Sequence, residues 1–89
     1  MGSSEFLALC RTKLREYVNE YLDKTDAVGN VDIYVVWSCK TLQHNKALLS
    51  TALPDGMYYE FTYNGDKGEL YLDAYMKFEN RCIKVKEVQ

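Results

Sequence analysis

The stretch from residue 57 to residue 78, MYYEFTYNGDKGELYLDAYMKF, decides the fold and holds five of the chain's eight tyrosines. Gly65-Asp66-Lys67-Gly68, in its middle, is typical of a hairpin turn. On both sides of this turn, apolar and polar residues alternate with a period of two, as they do in half-buried strands. The stretch therefore predicts two antiparallel strands, 57–64 and 69–78, with Asn64 opposite Glu69.

Upstream of this hairpin the sequence predicts two further strands. Residues 32–40, DIYVVWSCK, are rich in β-branched and aromatic residues. We expect a hairpin tip at Gln43-His44-Asn45 and a strand at 46–53, although Ala47-Leu48-Leu49 would also suit a helix. Pro54-Asp55-Gly56 is a turn signal, because Pro presets φ and Gly accepts positive φ. Short turns force neighbouring strands to pair, so the expected strand order is 1-2-3-4.

The N-terminal segment, residues 4–24, has the periodicity of a helix. Its apolar residues recur at spacings of three and four, at Leu7, Cys10, Leu14, Tyr17 and Tyr21, widened by Phe6, Val18 and Leu22. Ser3 or Ser4 can cap the first turn, and residues 25–30 should end the helix. One apolar stripe covers one face of a sheet. The predicted fold is α+β, a single domain over 1–89, with an N-terminal helix packed on one face of a four-stranded antiparallel meander sheet.

The last residues of the chain leave two alternatives open. Arg81-Cys82-Ile83-Lys84-Val85 could add a short edge strand. A helix from Leu72 onward is the rival, because several apolar residues from Leu72 to Ile83 also follow a helical stripe.

Alternation sorts the strand residues into two faces of the sheet. The face expected under the helix is almost wholly apolar: Ile33, Val35, Trp37, Cys39, Met57, Tyr59, Phe61, Tyr63, Leu70, Leu72, Ala74, Met76 and Phe78. The opposite face is more polar: Tyr34, Val36, Ser38, Lys40, Tyr58, Glu60, Thr62, Tyr71, Asp73, Tyr75 and Lys77. The sequence shows no second helix to cover this opposite face.

The candidate binding site is a set of tyrosines and acids on the uncovered face: Tyr34, Tyr58, Tyr71, Tyr75, Glu60 and Asp73. Tyrosine offers a large rigid surface with a hydrogen-bonding tip, which suits recognition. The predicted register places Tyr58 opposite Tyr75 and Glu60 opposite Asp73. Directly opposed like charges are unfavourable, so a neighbouring cation such as Lys40 or Lys77 is expected to offset them.

Composition narrows the classes of function. The 89-residue chain carries 11 basic and 13 acidic residues, a net charge of −2, which argues against general phosphate-backbone binding. Three widely spaced cysteines and a single His44 predict no metal site, no cofactor and no disulfide framework. Free thiols suit a reducing cytoplasm. No apolar run is long enough for a signal peptide or a membrane span.

The sequence also predicts that the protein is not an enzyme. Glu60 and Asp73 are the nearest thing to a catalytic pair, but an open sheet face does not give the burial that separates the pKa values of paired carboxyls. Ser38 and Cys39 point to opposite sides of one strand, so neither is expected to share a nucleophilic site with His44. Asn64-Gly65-Asp66 lacks the rest of a calcium loop and is expected to be a turn.

Three runs of the sequence carry a family resemblance: IYVVWSCKTLQHNKALLST (33–51), PDGMYYEFTYNGDKGELYLDAY (54–75) and KFEN (77–80). They resemble a family of small uncharacterised proteins from phages and prophages of Gram-positive bacteria, over residues from Phe6 to about Ile83. The resemblance implies no assigned activity and no established functional residues. It implies instead a small accessory protein that acts in the cytoplasm of a host bacterium and binds host or phage proteins.

These observations favour a non-enzymatic phage or prophage accessory protein that acts by protein–protein interaction through its Tyr-rich sheet face. The expected partner is a host or phage protein, or a second copy of the chain in a homodimer, and not a membrane. The alternative is a single-stranded nucleic-acid-binding module, in which bases stack on sheet aromatics. A third hypothesis is an inhibitor that presents acids to a nucleic-acid-binding defence enzyme.

Overall fold

The computed structural model describes residues 1–21 and 31–86 and consists of one helix followed by four strands. These elements are α1 (Ser3–Tyr21), β1 (Ile33–Thr41), β2 (His44–Thr51), β3 (Met57–Asn64) and β4 (Glu69–Met76). The strands form one antiparallel sheet in the order β1-β2-β3-β4. The predicted fold class is confirmed. The predictions for the end of the helix and for the turn at 25–30 lie outside the described residues.

Helix α1 buries a stripe of residues spaced four apart. Phe6, Cys10, Leu14 and Val18 are buried, while Leu7 and Tyr17 are half-buried beside them. The backbone N–H of Phe6 donates to the carbonyl of Gly2 at 2.9 Å, which closes the first turn, and Glu5 places a negative charge in that turn. Phe6 and Val18, which the sequence placed at the margin of the apolar stripe, are thus among its most buried residues. The buried face of the helix is the predicted one.

The core lies between α1 and one face of the sheet, which we call the inner face. The helix packs over β1 and β2, and its apolar side chains also meet β3. Ala47, Leu49, Tyr59 and Phe61 are fully buried there, and the ring of Tyr17 meets that of Tyr59 edge-on at 5.9 Å. Burying each large apolar side chain contributes about 1.5–3 kcal/mol, so this cluster is the main source of stability.

The first hairpin is tighter than the sequence predicts. Thr41 pairs with His44, so the tip is Leu42-Gln43 and not Gln43-His44-Asn45, and β2 begins at His44 rather than 46. The tip turns so sharply because Leu42 has a φ of 56°, a left-handed conformation in which glycine is usual. Leucine in this conformation is uncommon, which is why residue preferences did not place the tip here.

The two hairpin tips at this end of the sheet contact one another. The N–H of Gly65 donates to Nδ1 of His44 at 3.2 Å, and Nε2 of Gln43 donates to Oδ1 of Asp66 at 2.5 Å. Gly65 lies so close to the first hairpin that a Cβ on it would be 2.1 Å from the carbonyl oxygen of Gln43. This close approach explains why a glycine occupies position 65.

A bulge in β1 overturns part of the predicted face assignment. Val35 pairs with Leu49 while Trp37 pairs with Leu48, so Val36 is an extra residue and alternation reverses after it. Trp37 and Cys39, predicted in the core, therefore lie on the opposite face. Both are exposed, Trp37 to 42%. Ser38 and Lys40, predicted on that opposite face, lie on the inner side.

The predicted core is also wrong at the end of the fourth strand. Strand β4 ends at Met76 and not at Phe78; Ala74 is exposed, Met76 is 72% exposed and Phe78 is 96% exposed. The reason is geometric. A helix is roughly 10–12 Å across, whereas four strands span about 14 Å between the outermost pair. A helix placed over β1 and β2 leaves the inner side of β4 partly uncovered.

The segment after β4 adopts neither of the two predicted alternatives. Strand β4 runs through residues 72–76, which excludes a helix from Leu72, and residues 77–86 are neither helix nor strand. Its first residue is held to the sheet, because the N–H of Lys77 donates to the carbonyl of Gly56 at 2.8 Å. The apolar side chains of this segment are exposed, Ile83 to 73% and Val85 to 82%.

Candidate protein-interaction surface

The face of the sheet turned away from α1, which we call the outer face, is organised by cross-strand pairing. Since Leu49 and Tyr59 are buried on the inner face, their neighbours along each strand point outward. The register of the strands places the outward residues in three rows. The rows are Tyr34–Ser50–Tyr58–Tyr75, Trp37–Leu48–Glu60–Asp73 and Cys39–Lys46–Thr62–Tyr71.

All six candidate residues from the sequence lie on the outer face. The predicted pairs of β3 and β4 are present, with Tyr58 opposite Tyr75, Glu60 opposite Asp73 and Asn64 opposite Glu69. Tyr34 is joined to Tyr58 through Ser50 of the intervening strand β2. The structure therefore brings the candidate residues onto one surface, with tyrosines toward both ends of β4 and acids between them.

Four further residues of this surface escaped the sequence analysis: Trp37, Leu48, Lys46 and Cys39. Trp37 and Cys39 were assigned to the core because strict alternation ignores the bulge. Leu48 and Lys46 were not assigned to either face, because Ala47-Leu48-Leu49 would also suit a helix. Counting residue pairs back from a tip at Leu42-Gln43 places Trp37 opposite Leu48. The position of this tip was therefore the one sequence signal that could have put Trp37 on the outer face.

A shallow apolar groove of about 390 Å³ lies where the outer face meets the end of β4. It is lined by Leu48, Tyr58, Tyr75, Met76 and Lys77. The tyrosine rings and the aliphatic part of the lysine give it apolar walls with polar tips. A groove of this size accepts one large apolar side chain of a partner.

The charged side chains of the outer face are the acids Glu60, Glu69 and Asp73 and the lysines Lys46 and Lys77. Nζ of Lys46 lies 3.4 Å from Oε1 of Glu60, so Lys46 is the cation beside the acidic pair. The predicted alternative, Lys40, instead donates to the carbonyl oxygen of Leu42 at 2.7 Å. Asp73 lies opposite Glu60 on β4 and is exposed. In this ion pair Lys46 is exposed at its side chain and Glu60 is half-buried, and a pair near the surface contributes about 1 kcal/mol or less to stability.

Tyr71, on the edge strand, is tied to a neighbouring acid. Its hydroxyl donates to the Glu69 carboxylate. This hydrogen bond, together with the negative charge of Glu69, raises the pKa of Tyr71. The same hydrogen bond holds the hydroxyl of Tyr71 toward the Glu69 end of β4.

A second, smaller cavity of about 210 Å³ lies near the hairpin tips. Cys39, Thr41, His44, Asn45, Lys46 and Thr62 line it. His44 is not placed to activate the thiol of Cys39, because its Nδ1 accepts the Gly65 N–H and its Nε2 lies 3.6 Å from Oδ2 of Asp66. The ring therefore joins the two hairpins, which is a structural role.

Metal binding and membrane insertion can be assessed for residues 1–21 and 31–86. Within these ranges no cluster of three His, Cys, Asp or Glu side chains is arranged to hold a metal ion. The helix within the same ranges is too polar to cross a membrane. The three cysteines are free thiols, Cys10 in the core and Cys39 and Cys82 on the surface.

Comparison with known proteins places the chain in a family. The model of a family of unknown function, DUF6275, matches residues 7–85, and the chain belongs to that family. No curated protein and no solved structure matches the chain. Any function therefore has to be inferred from the surface described above.

Proposed function

We propose that this member of a family of unknown function is a non-enzymatic binding module that holds a protein partner on its outer sheet face. The observation that supports the proposal most is the placement of Trp37 by the bulge. Trp37 shares one side of the sheet with Leu48, Tyr58 and Tyr75, and no described element covers that side. Exposed aromatic and apolar patches of this kind are typical of interfaces.

The arrangement of these residues has the features of an interface centre. Trp and Tyr are enriched among the few residues that carry most of the binding energy in protein complexes. The apolar groove between Tyr58 and Tyr75 offers a place for an anchoring side chain from the partner. The strands beneath hold the rings on a rigid support, so little entropy is lost when a partner orders them.

Charge indicates the chemistry of the partner. The acids Glu60 and Asp73 lie beside the aromatic residues, and Lys46 offsets one of them. A protein surface with Arg or Lys around an apolar anchor would complement this pattern. We therefore expect a basic partner whose binding weakens as salt rises.

The biological setting is part of the same proposal. The resemblance to small phage and prophage proteins suggests an accessory protein acting in the cytoplasm of a host bacterium on a host or phage protein. The exposed free thiols of Cys39 and Cys82 fit a reducing compartment of this kind.

Affinity capture with a matched pair of variants tests the proposal. The wild-type chain and the Trp37→Ala/Tyr58→Ala variant are immobilised and exposed to a bacterial lysate with and without phage infection. The control is Arg11→Ala/Arg15→Ala, which removes two exposed side chains from the opposite side of the molecule. The proposal requires a protein that wild type and control retain and the outer-face variant loses. Equal retention by all three chains would contradict it.

A purified candidate partner allows a direct reading of the interface. Trp37 is the one tryptophan of the chain, so its fluorescence reports the outer face alone. Binding at this face should shift the emission of Trp37 to shorter wavelength and shield it from acrylamide. A partner that binds without changing Trp37 uses another surface.

A single-stranded nucleic-acid-binding module is the second candidate. The exposed ring of Trp37, on the same face as Tyr34 and Tyr58, favours it, because bases stack on such rings. Glu60 and Asp73 oppose it, since they repel the phosphate backbone. Anisotropy of short labelled oligonucleotides at low salt decides the matter: binding that Trp37→Ala abolishes supports this candidate, and no binding removes it.

A further inference from the structure

The two edges of the sheet differ in how well they are protected against pairing with another chain. Strand β1 carries a bulge at Val36 and a lysine at position 40, two devices that discourage edge pairing. Strand β4 pairs with β3 in unbroken register and contains neither Lys nor Pro. Within the described residues nothing pairs with its other side, which leaves eight residues of regular free edge.

The free edge has two sides of different chemistry. On the inner side, Leu70 and Leu72 are half-buried, and Ala74 and Met76 are exposed because α1 does not reach them. On the outer side, the acids Glu69 and Asp73 alternate with Tyr71 and Tyr75. A strand that fits this edge would present apolar residues on one side and cations on the other.

Residues 81–86, RCIKVK, have this pattern. Ile83 and Val85 alternate with Lys84 and Lys86, so an extended conformation puts the apolar pair on one side and the lysines on the other. Ile83 and Val85 are exposed to 73% and 82%. The segment thus combines unburied apolar side chains with charges that complement β4.

We propose that residues 81–86 of one copy of the chain add as a fifth antiparallel strand to β4 of a second copy, reciprocally, in a twofold dimer. With Ile83 opposite Ala74, Val85 falls opposite Leu72 and Lys84 falls opposite Asp73. Both apolar residues then extend the inner face, and the lysine meets the acid on the outer face. A slip of one residue would put Lys84 on the apolar side, so the pattern specifies the register.

The segment joins a second copy because its own chain provides no turn back to β4. Each of the three hairpin connections contains a residue with positive φ, namely Leu42, Gly56 and Gly68. The connection at 77–80, KFEN, has no glycine, and no residue in the described 77–86 has positive φ. Ten residues, when fully extended, can reach about 33 Å from the end of β4. Exchange of such a segment between identical chains is a common route to dimers.

This dimer does not rest on the proposed function, although it pairs Lys84 of the second copy with Asp73, one of the acids of the outer face. It uses the free edge of β4. Trp37 and Tyr34 lie on β1, at the opposite edge of the sheet, and stay open to another partner. The Trp37→Ala/Tyr58→Ala variant should therefore lose the partner and keep the dimer, whereas variants of the segment should lose the dimer.

Sedimentation equilibrium of the full chain from 1 to roughly 500 µM tests the association. Wild type should be a dimer in the upper part of this range, typical of modest interfaces. Ile83→Asp/Val85→Asp should raise the dissociation constant at least tenfold, while the circular dichroism spectrum of the monomer at low concentration stays unchanged because both residues are exposed there. The control Val36→Asp/Leu42→Asp puts the same charges on exposed apolar residues elsewhere and should not alter association. A wild type that stays monomeric, or a variant that dimerises like wild type, overturns the proposal.

A designed disulfide tests the register and the identity of the second strand. Asp73→Cys and Lys84→Cys are combined in a chain carrying Cys39→Ser and Cys82→Ser, and oxidised glutathione drives cross-linking. The proposed register predicts a covalent dimer on a non-reducing gel and no cross-link when Ala74→Cys replaces Asp73→Cys. A disulfide that closes within one chain, or no disulfide at all, overturns the proposal.

Discussion

The inner and outer faces of the sheet come from the same four strands, yet they do different things. The inner face packs Ala47, Leu49, Tyr59 and Phe61 against the helix and supplies the core. The outer face carries rings and acids that no described element covers. One extra residue in β1, Val36, decides that Trp37 belongs to the second face and not the first. Composition alone therefore does not assign an aromatic residue to the core.

The largest expected effect is a loss of stability when a side chain packed against the inner face is shortened. Leu14→Ala removes a fully buried side chain from the inner cluster and should lower the free energy of unfolding by about 2–5 kcal/mol. Urea unfolding followed by circular dichroism measures it. A loss below about 1 kcal/mol would mean that α1 is not packed on the inner face.

The contact between the two hairpin tips joins the β1–β2 hairpin to the β3–β4 hairpin at one end of the sheet. Gly65→Ala places a Cβ against the carbonyl oxygen of Gln43 and should cost about 1–3 kcal/mol, as overpacking usually does. Gly68→Ala is the matched control, since its Cβ meets open space and only its φ of 63° is strained. Thermal unfolding should rank Gly65→Ala below Gly68→Ala. The reverse order would contradict the close approach of the two tips.

The buried thiol of Cys10, on the side of α1 that packs against the inner face, should make stability depend on alkaline pH. Burial raises the pKa of Cys10 from 9.0 to about 12. Because the folded state holds this proton more tightly, the contribution is complete below pH 9 and is lost as pH rises from 9 toward 12. Urea unfolding between pH 7 and pH 10.5 measures the decline. Cys10→Ala should show a shallower decline, and an identical slope for both chains would refute this origin.

The smallest expected effect on stability belongs to the outer face. Tyr75→Ala removes an exposed ring opposite Tyr58, and such cross-strand pairs are worth about 0.2–1 kcal/mol. Partner binding should nevertheless weaken, because the ring is a wall of the groove. Unfolding and binding measured on the same preparation separate the two effects. A large loss of stability would place Tyr75 in the core instead.

The sequence predicted the parts of the fold that local chemistry determines. The Gly65–Gly68 turn and the alternation on either side set the β3–β4 register, so the pairs Tyr58–Tyr75 and Glu60–Asp73 are as predicted. The spacing of apolar residues located α1 and its buried face. Both features depend on residues close together in the chain.

The remaining features depend on contacts between distant residues. Val35-Val36-Trp37 has the same strand preference with or without a bulge, so only pairing with β2 reveals the extra residue. Leu42 occupies a conformation that residue preferences assign to glycine. The exposure of Met76 follows from the width of a helix relative to a sheet, which no local pattern encodes.

Acrylamide quenching of Trp37 fluorescence, in the free chain and with a bound partner, tests most directly that the outer face is an open recognition surface. Trp37 is the one tryptophan, and it lies on that face. The structure predicts ready quenching in the free chain, at low and high protein concentration alike, and protection once the partner is bound. A Trp37 that is already shielded in the free chain, or that stays equally open in the complex, would contradict this account.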